Sequence, residues 1–149
     1  MRDDLTREGE VGELRVQLNL TEQGGVVSVP QSASTDGYDL IYDHEGSLLK
    51  IQVKSVKPNS QNKNMITVPL INRKNSSVAK NDRGQTHRYA EKVDFIAVHV
   101  KGINDIFYLP QHILPSDKSC ETFLLPEYEG RSGKIKLNDQ YRKIKFSRS

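Results

Sequence analysis

The sequence predicts an α/β fold in which a central mixed β-sheet is flanked by helices. Three observations predict it: an N-terminal stretch with helical periodicity, two alternating segments joined by a turn, and an apolar run near residue 95. Helical and strand periodicities together indicate a domain that combines both kinds of element. At 149 residues the chain is long enough for one domain, residues 1–149, with a real core.

The first helix is predicted over residues 6–22. Val11, Leu14 and Leu18 recur at the spacing i, i+3, i+7 that is typical of an amphipathic helix. Two glycines, beginning at Gly24, follow this stretch. Glycine is common just past the C-terminus of a helix, so the helix is expected to end before them.

The segment 39–54 predicts a β-hairpin. Apolar and polar residues alternate on both sides of a polar turn that contains Gly46. Because successive strand side chains point to opposite faces, Gln52 and Lys54 emerge on the same side. The preceding strand can then place Asp39 opposite them.

The run at residues 93–100 is the strongest buried-strand pattern, and a turn joins it to a second apolar segment. No internal repeat or low-complexity tract divides the chain. The other predicted elements are strands over residues 26–30, 65–71 and 106–110 and a short helix over residues 111–116.

The composition excludes several classes of protein. No apolar run approaches the length of a membrane-spanning helix, and the N-terminus is polar, so neither a membrane partner nor a secretory signal is expected. The single Cys120 rules out an intramolecular disulfide and fits a reducing compartment. A cytoplasmic protein is therefore expected.

Charge is distributed unevenly along the chain. The first 49 residues hold three Arg and ten Asp or Glu, whereas residues 50–149 hold nineteen Lys or Arg and nine Asp or Glu. Such a distribution occurs in solvated surfaces, and it also suits a site that binds cations and a polyanion together.

The predicted hairpin brings three kinds of polar group to one end. They are the carboxylate of Asp39, the amide oxygen of Gln52 and the ammonium of Lys54. An acceptor pair of this kind can hold a hard cation, and a lysine beside it can orient a water molecule.

The residues Pro30, Asp39, Gln52, Val53 and Lys54 resemble the PD-(D/E)XK nuclease motif, with Gln in the second acidic position. The sequence resembles homing endonucleases of this type that bacterial group I introns encode, and archaeal Holliday junction resolvases share the core. The resemblance implies a restriction-endonuclease-like core with extended DNA-binding loops.

The resemblance also implies roles for the site residues. Asp39, Gln52 and the backbone carbonyl of Val53 would be ligands of Mg²⁺, and Lys54 would orient the attacking water. A neutral amide attracts Mg²⁺ less than a carboxylate does, so metal binding would depend more strongly on another carboxylate.

Glu13 is the candidate for that acid. Nucleases of this fold often carry a helix Glu about eleven residues before the Gly that leads into the first strand, and Glu13 and Gly24 match that spacing. The resemblance thus implies that Glu13 is a further catalytic and metal-binding residue. Acids early in a helix also complement the helix dipole, which is the alternative role.

Two basic segments are the predicted DNA-binding regions: a polar insert at residues 72–88 and a tail at residues 130–149. Arg and Lys can pair with guanine edges and Asn and Gln with adenine, so the insert suits base recognition. The candidate DNA-binding residues are Lys57, Lys63, Arg73, Lys74, Lys80, Arg83, Arg88, Arg131, Lys134, Lys136, Arg142 and Lys143.

The predicted function is that of a sequence-specific, Mg²⁺-dependent homing endonuclease acting on double-stranded DNA. One such site cuts one strand, so a homodimer or homotetramer is expected. A resolvase-like nuclease that selects four-way junctions is the first alternative, and a non-catalytic DNA-binding module is the second. The base-reading chemistry of the insert favours the homing type.

Overall fold

The computed structural model describes residues 4–31, 37–73, 86–88 and 92–144. Within these ranges the chain forms one α-helix, nine strands and two 3-10 helices, at Gln111–Ile113 and Asp139–Tyr141. The helix is α1 (Asp4–Glu22), and the strands are β1 (Val26–Ser28), β2 (Leu40–His44), β3 (Ser47–Val56), β4 (Met65–Pro69), β5 (Ile71–Arg73), β6 (Thr86–Arg88), β7 (Phe95–Val100), β8 (Asp105–Pro110) and β9 (Cys120–Leu124).

Five strands form the central sheet in the order β1-β2-β3-β7-β8. β3 and β7 run parallel, and the other neighbours are antiparallel. The predicted mixed sheet is therefore confirmed. β4 pairs with β9 and β5 with β6 in two further antiparallel pairs.

Two apolar cores lie on opposite faces of the central sheet. On one face Val16 and Leu20 of α1 join a cluster that includes Ile51 of β3. On the other face Phe123 of β9 joins a cluster that includes Ile96 of β7. Because both faces are covered, every residue of β7 is buried, which explains its continuous apolar run.

Helix α1 faces the sheet with a different stripe from the one that predicts it. The residues at helical spacing, Val11, Leu14 and Leu18, are 42%, 63% and 61% exposed. A second set with a similar spacing fills the contact with the sheet, and it includes a glycine, Gly12, at which a Cβ atom would overlap Ser55 of β3. From residue 7 onward, the buried residues of α1 are Gly12, Val16 and Leu20.

Tyr42 fastens the end of α1 to the hairpin. Its hydroxyl accepts a hydrogen bond from the Gly25 amide at 3.0 Å and donates one to the Leu20 carbonyl at 2.9 Å. The chain leaves the helix through Gly24 at φ +101°, a conformation that suits glycine. The hairpin turn also takes positive φ at Gly46, as its sequence predicts.

In the second half of the chain β7 and β8 lie where strands were predicted, whereas several other elements differ from the prediction. The strand predicted over residues 65–71 is interrupted at Leu70, whose amide donates to the Ser119 carbonyl at 2.9 Å, and β5 then pairs with β6 instead. The ends of the polar insert thus form a two-stranded ladder, and β9 is an additional strand. The short helix predicted over residues 111–116 is a three-residue 3-10 helix.

Across the parts of the chain that the structure describes, no helix has the length and apolar character required to cross a membrane.

Candidate active site

The site begins where β2 stops pairing with β3. β2 starts at Leu40, opposite Ile51, whereas β3 continues to Val56, and over residues 52–56 its partner strand in the described part of the chain is β7. Asp39 lies at this junction. Its amide donates to the Ile51 carbonyl at 2.8 Å, and its Oδ2 accepts from the Val53 amide at 2.9 Å. The carboxylate therefore takes the place of a missing strand partner.

Gln52 and Lys54 flank the peptide group that Asp39 holds. Gln52 is 8% exposed, and its Nε2 lies 3.4 Å from the Val53 carbonyl oxygen, a long hydrogen bond. Lys54 is half-buried on the same strand. Asp39 thus lies beside this segment of β3, where its carboxylate accepts from the Val53 amide and Lys54 lies within electrostatic reach.

Burial and charge act against each other at Asp39 and Lys54. Burial raises the pKa of the Asp39 carboxyl, while the Val53 amide and the Lys54 ammonium act to lower that pKa. Burial lowers the pKa of Lys54, and the Asp39 carboxylate acts to raise it. The two side chains are therefore close enough to influence each other's protonation.

Gly12 sets how closely α1 approaches β3. A Cβ atom at this position would overlap the Ser55 hydroxyl and come within 3.3 Å of His99 Nδ1. Ser55 and His99 are neighbours in register on β3 and β7. Only a residue without a side chain allows this contact, which brings the next residue of the helix, Glu13, toward the edge of β3.

Glu13 completes a pair of carboxylates with Asp39. Burial raises the pKa of Glu13, and the charges of Asp39 and of Glu10 raise it further. Two partly buried carboxylates that repel each other indicate a place where a cation would relieve the repulsion.

The donor atoms fit a hard divalent ion. Among the described residues, no group of three or more His, Cys, Asp or Glu side chains could hold a metal by itself. Glu13 and Asp39 supply two carboxylates, and Gln52 and the Val53 carbonyl offer neutral oxygens. Mg²⁺ binds through few protein oxygens and keeps several waters, so this smaller set suits it. The side-chain nitrogen of Gln52 donates to the Val53 carbonyl, so the side-chain oxygen of Gln52 points away from that carbonyl.

The candidate DNA-binding residues lie in different surroundings. Lys57 and Lys63 line an open cleft of about 600 Å³ together with Lys101. Arg73 and Arg88 belong to the β5 and β6 ladder. Three insert residues, Lys74, Lys80 and Arg83, lie outside the described residues.

Several basic residues of the tail have partners within the molecule. Lys134 forms an ion pair with Glu121 at 2.9 Å, and Lys136 donates to the Tyr128 carbonyl at 3.0 Å. Arg142 pairs with Asp105 at 3.0 Å. The remaining two, Arg131 and Lys143, are exposed.

Sequence reasoning missed the supporting residues Gly12, Ser55 and His99. Ser55 Oγ and both His99 ring nitrogens are buried without a hydrogen-bond partner that meets ordinary geometry, and burial is the main cause that lowers the pKa of His99. A glycine within a helical pattern was the available signal, because it often marks a close packing contact.

The site resembles that of a nuclease. It combines an Asp, a Gln-x-Lys segment and a helix Glu at the end of a strand in a mixed sheet. Residues 4–144 match the family model described as PD-(D/E)XK endonuclease, so the chain belongs to that family. Membership implies a nuclease with DNA as its substrate and a divalent metal ion as its usual cofactor. No curated protein matches the sequence significantly.

Two solved structures are similar to this fold. A bacterial homing endonuclease is 22% identical, covers 87% of this chain and 84% of its own, and superposes with a TM-score of 0.70. A Holliday junction resolvase from the archaeal hyperthermophile Archaeoglobus fulgidus is 12% identical, covers 77% of this chain and 82% of its own, and has a TM-score of 0.47. The first likeness confirms the predicted fold class.

Proposed function

We propose that the protein is a sequence-specific, Mg²⁺-dependent endonuclease of the homing type that cuts double-stranded DNA. The observation that carries this proposal is the Asp39 carboxylate held on the Val53 amide at the open edge of β3. Glu13 and Lys54 lie within electrostatic reach of that carboxylate. Membership of the family supports the nuclease class.

The two carboxylates are the proposed metal ligands. Glu13 and Asp39 would hold Mg²⁺, and Gln52 and the Val53 carbonyl are the neutral donors beside them. When bound, the ion would neutralise charge on the scissile phosphate and make a water molecule more acidic. Because one donor is a neutral amide, the two carboxylates supply the negative charge on which affinity depends.

Lys54 is the proposed partner of the attacking water. Burial lowers the pKa of its ammonium, so Lys54 gives up a proton more readily than a lysine in water. The Asp39 carboxylate acts against this change, because its negative charge raises the pKa of Lys54. Lys54 can therefore hold a water by hydrogen bonding and stabilise the negative charge of the transition state.

Recognition of a long target is assigned to the basic regions outside the site. The insert at residues 72–88 combines Arg and Lys with Asn and Gln, which together can read base edges. Exposed lysines, such as Lys57 and Lys63, can contact phosphates. Cleavage of both strands requires at least two copies of the chain on one duplex.

The direct test is substitution of the two central residues. Lys54→Ala and Asp39→Asn are expected to lower Mg²⁺-dependent cleavage of a plasmid carrying a selected target by about 10²–10⁴-fold, while DNA binding is retained. Lys118→Ala is the matched control, because Lys118 is exposed and pairs with Glu121 away from the site. Wild-type levels of cleavage by Lys54→Ala would overturn the proposed role.

The choice of DNA substrate separates the alternatives. Selection of cleaved sites from a randomised duplex library in Mg²⁺ should return a linear target of about 20–30 base pairs, since each copy covers about one DNA turn. Cleavage of four-way junctions but of no linear duplex would favour a structure-selective nuclease. Binding without any metal-dependent cleavage would favour a DNA-binding module.

A further inference from the structure

The open cleft of about 600 Å³ that Lys57 and Lys63 line lies outside the candidate site. It is bounded by the loop that follows β3, residues 57–64, and by the turn between β7 and β8, residues 101–104. Because β3 and β7 run parallel, both connections leave the same edge of the sheet. In open α/β sheets, ligands bind in the crevice outside the carboxyl ends of such strands. The position of this cleft is therefore that of a ligand site.

Backbone hydrogen bonds hold both walls of the cleft. The Lys101 amide donates to the Val56 carbonyl at 2.8 Å, which ties the turn to the end of β3. The Asn59 amide donates to the Met65 carbonyl, also at 2.8 Å, which closes the loop on the other side. A cleft whose walls are fixed in this way is formed before a ligand enters, as is usual for small-molecule sites.

The lining of the cleft combines apolar surface with side-chain amides. Pro58, Leu125 and Ile103 supply the apolar part, and Ile103 is 49% exposed although its side chain is large. Asn59 and Asn64 supply the amides. Nδ2 of Asn59 donates to a threonine hydroxyl of β4 at 3.1 Å, which fixes the side chain and leaves its Oδ1 as an acceptor. A nucleobase has the matching chemistry, because its faces pack on apolar side chains and its edge forms hydrogen bonds.

The charged side chains that line the cleft leave a positive balance. Lys101 pairs with Glu8 at 2.8 Å. Asp105 pairs with Arg142 at 3.0 Å, so both of these lining charges are already neutralised within the protein. The other charged residues of the lining are exposed, and they are Lys57, Lys63 and Glu127. Two cations against one carboxylate favour an anionic ligand, and a nucleotide joins a phosphate to its base.

The cleft is also close to the candidate site. Lys57 follows Lys54 by three residues. An extended chain advances at most about 3.6 Å per residue, so the Cα atoms of these two lysines are within about 11 Å of each other. Successive phosphates of one DNA strand are about 3.4 Å apart along the helix axis, so this distance corresponds to about three nucleotides. A strand held at the candidate site can therefore reach the cleft.

We infer that the cleft binds one unpaired nucleotide of a DNA strand, about three positions from the scissile phosphate. The base lies against Ile103 and Pro58, and the Asn59 amide meets its edge. Lys57 and Lys63 face the phosphates on either side of it. This inference rests on the proposed function, since the DNA strand is taken to be held at the candidate site. Target DNA in which a base leaves the duplex easily should be preferred, because unstacking costs least where a base is not paired.

The first test compares three duplexes of one sequence in EDTA, where binding is measured without cleavage. One is fully paired, one carries a single unpaired nucleotide, and one carries an abasic unit in place of that nucleotide. Fluorescence anisotropy should show that the wild type binds the duplex with the unpaired base about tenfold more tightly than the other two, through the contacts of that base. The abasic duplex is the matched control, because it keeps the extra phosphate and lacks only the base. Equal affinity for the base and the abasic unit would overturn the inference.

The second test removes the apolar contact. Ile103→Ser should reduce the preference for the unpaired base over the abasic unit to about twofold or less, while affinity for the paired duplex stays the same. Leu48→Ser is the matched control, since Leu48 is an apolar residue of β3 that is 67% exposed and does not line the cleft. This control should keep the full preference. An Ile103→Ser protein that also keeps it would place the base elsewhere and overturn the inference.

Cleavage in Mg²⁺ separates this inference from the proposed function. A wild type that cuts linear duplexes but binds the base and abasic duplexes equally would keep the proposed function and lose the nucleotide cleft. A wild type that prefers the unpaired base but cuts no DNA in Mg²⁺ would keep the cleft as a nucleotide site and lose the proposed function.

Discussion

At the scale of single residues, the candidate site depends on two carboxylates that folding brings together. Burial raises the pKa of both Glu13 and Asp39, and the Asp39 charge raises the pKa of Glu13 further. The Val53 amide offsets part of the cost for Asp39, because it donates a hydrogen bond to the carboxylate. The folded protein without metal therefore carries a local electrostatic cost at neutral pH.

Glu13→Gln should remove part of that cost. A carboxyl group whose pKa is raised on folding weakens stability above the folded pKa, and the penalty disappears as the pH falls toward its ordinary value of 4.5. In EDTA at pH 7.5, the variant should melt about 1–3 °C above the wild type, and the gain should vanish in acid. Thermal melting across this pH range measures both effects.

Mg²⁺ should reverse the order of the two melting temperatures, so that the wild type melts above Glu13→Gln. The wild type is expected to gain melting temperature in millimolar Mg²⁺, since the ion binds only the folded state, while Glu13→Gln gains less. The exposed Glu129→Gln is the control and should follow the wild type. A Glu13→Gln protein that is less stable than the wild type in EDTA would contradict the electrostatic account.

The central residues of the site could be predicted because they depend on local pattern. Alternation along the hairpin places Gln52 and Lys54 on one side and Asp39 near them, whatever the rest of the fold. The bond from the Val53 amide to Asp39 could not be predicted, since it depends on where β2 stops pairing. Glu13 required a family resemblance, because its position depends on how α1 crosses the sheet.

At the scale of elements, the approach of α1 to the sheet depends on Gly12. Gly12→Ala should destabilise the protein by about 1–3 kcal/mol, because the added methyl overlaps Ser55 in a tight contact. Gly9→Ala is the matched control in the same helix, where a Cβ meets no other atom, and should stabilise by about 0.5–1 kcal/mol through helix propensity. Urea denaturation measures both changes.

The same contact predicts a compensating change. Combining Gly12→Ala with Ser55→Ala removes the hydroxyl that the methyl overlaps, so the double variant should recover part of the lost stability. A Gly12→Ala protein as stable as Gly9→Ala would contradict the close contact between α1 and β3 at Gly12.

Elements that pair locally followed from the sequence, and elements that pair over long distances did not. The hairpin of β2 and β3 has a two-residue turn and alternating strands, which are local signals. β9 pairs with β4 across more than fifty residues, for example Thr122 with Thr67, and its short sequence has little periodicity. The face of α1 was ambiguous because two stripes share helical spacing, and only packing selects between them.

At the scale of the whole molecule, the tail joins the two cores around the edge of the sheet. β8 is an edge strand, and the 3-10 helix Asp139–Tyr141 lies against it. Leu137 belongs to one core and Ile144 to the other. The Ile144 amide donates to the Gln23 side chain of α1 at 3.0 Å, so the tail also reaches the helix. Covering an edge strand in this way protects it from pairing with other chains.

Arg142 and Lys143 allow the structural and DNA-binding roles of the tail to be separated. Arg142 pairs with Asp105 at 3.0 Å and lies 4.9 Å from the centre of the Phe107 ring, whereas Lys143 is exposed. Arg142→Ala should cost about 1 kcal/mol of stability, since the pair is partly screened by solvent. Lys143→Ala should leave stability unchanged, weaken DNA binding, and reduce its salt dependence by about one phosphate contact.

Melting curves and binding titrations at several salt concentrations distinguish these outcomes. A loss of DNA affinity in Arg142→Ala with no change in melting would assign this residue to the phosphate backbone. The apolar contacts of Leu137 and Ile144 and the other hydrogen bonds of the tail would then hold it without the Arg142 ion pair. A loss of stability instead means that the tail is part of the fold. In that case the positive charge available to DNA is smaller than the number of Lys and Arg residues in the tail suggests. Lys134 and Arg142 already form ion pairs within the protein.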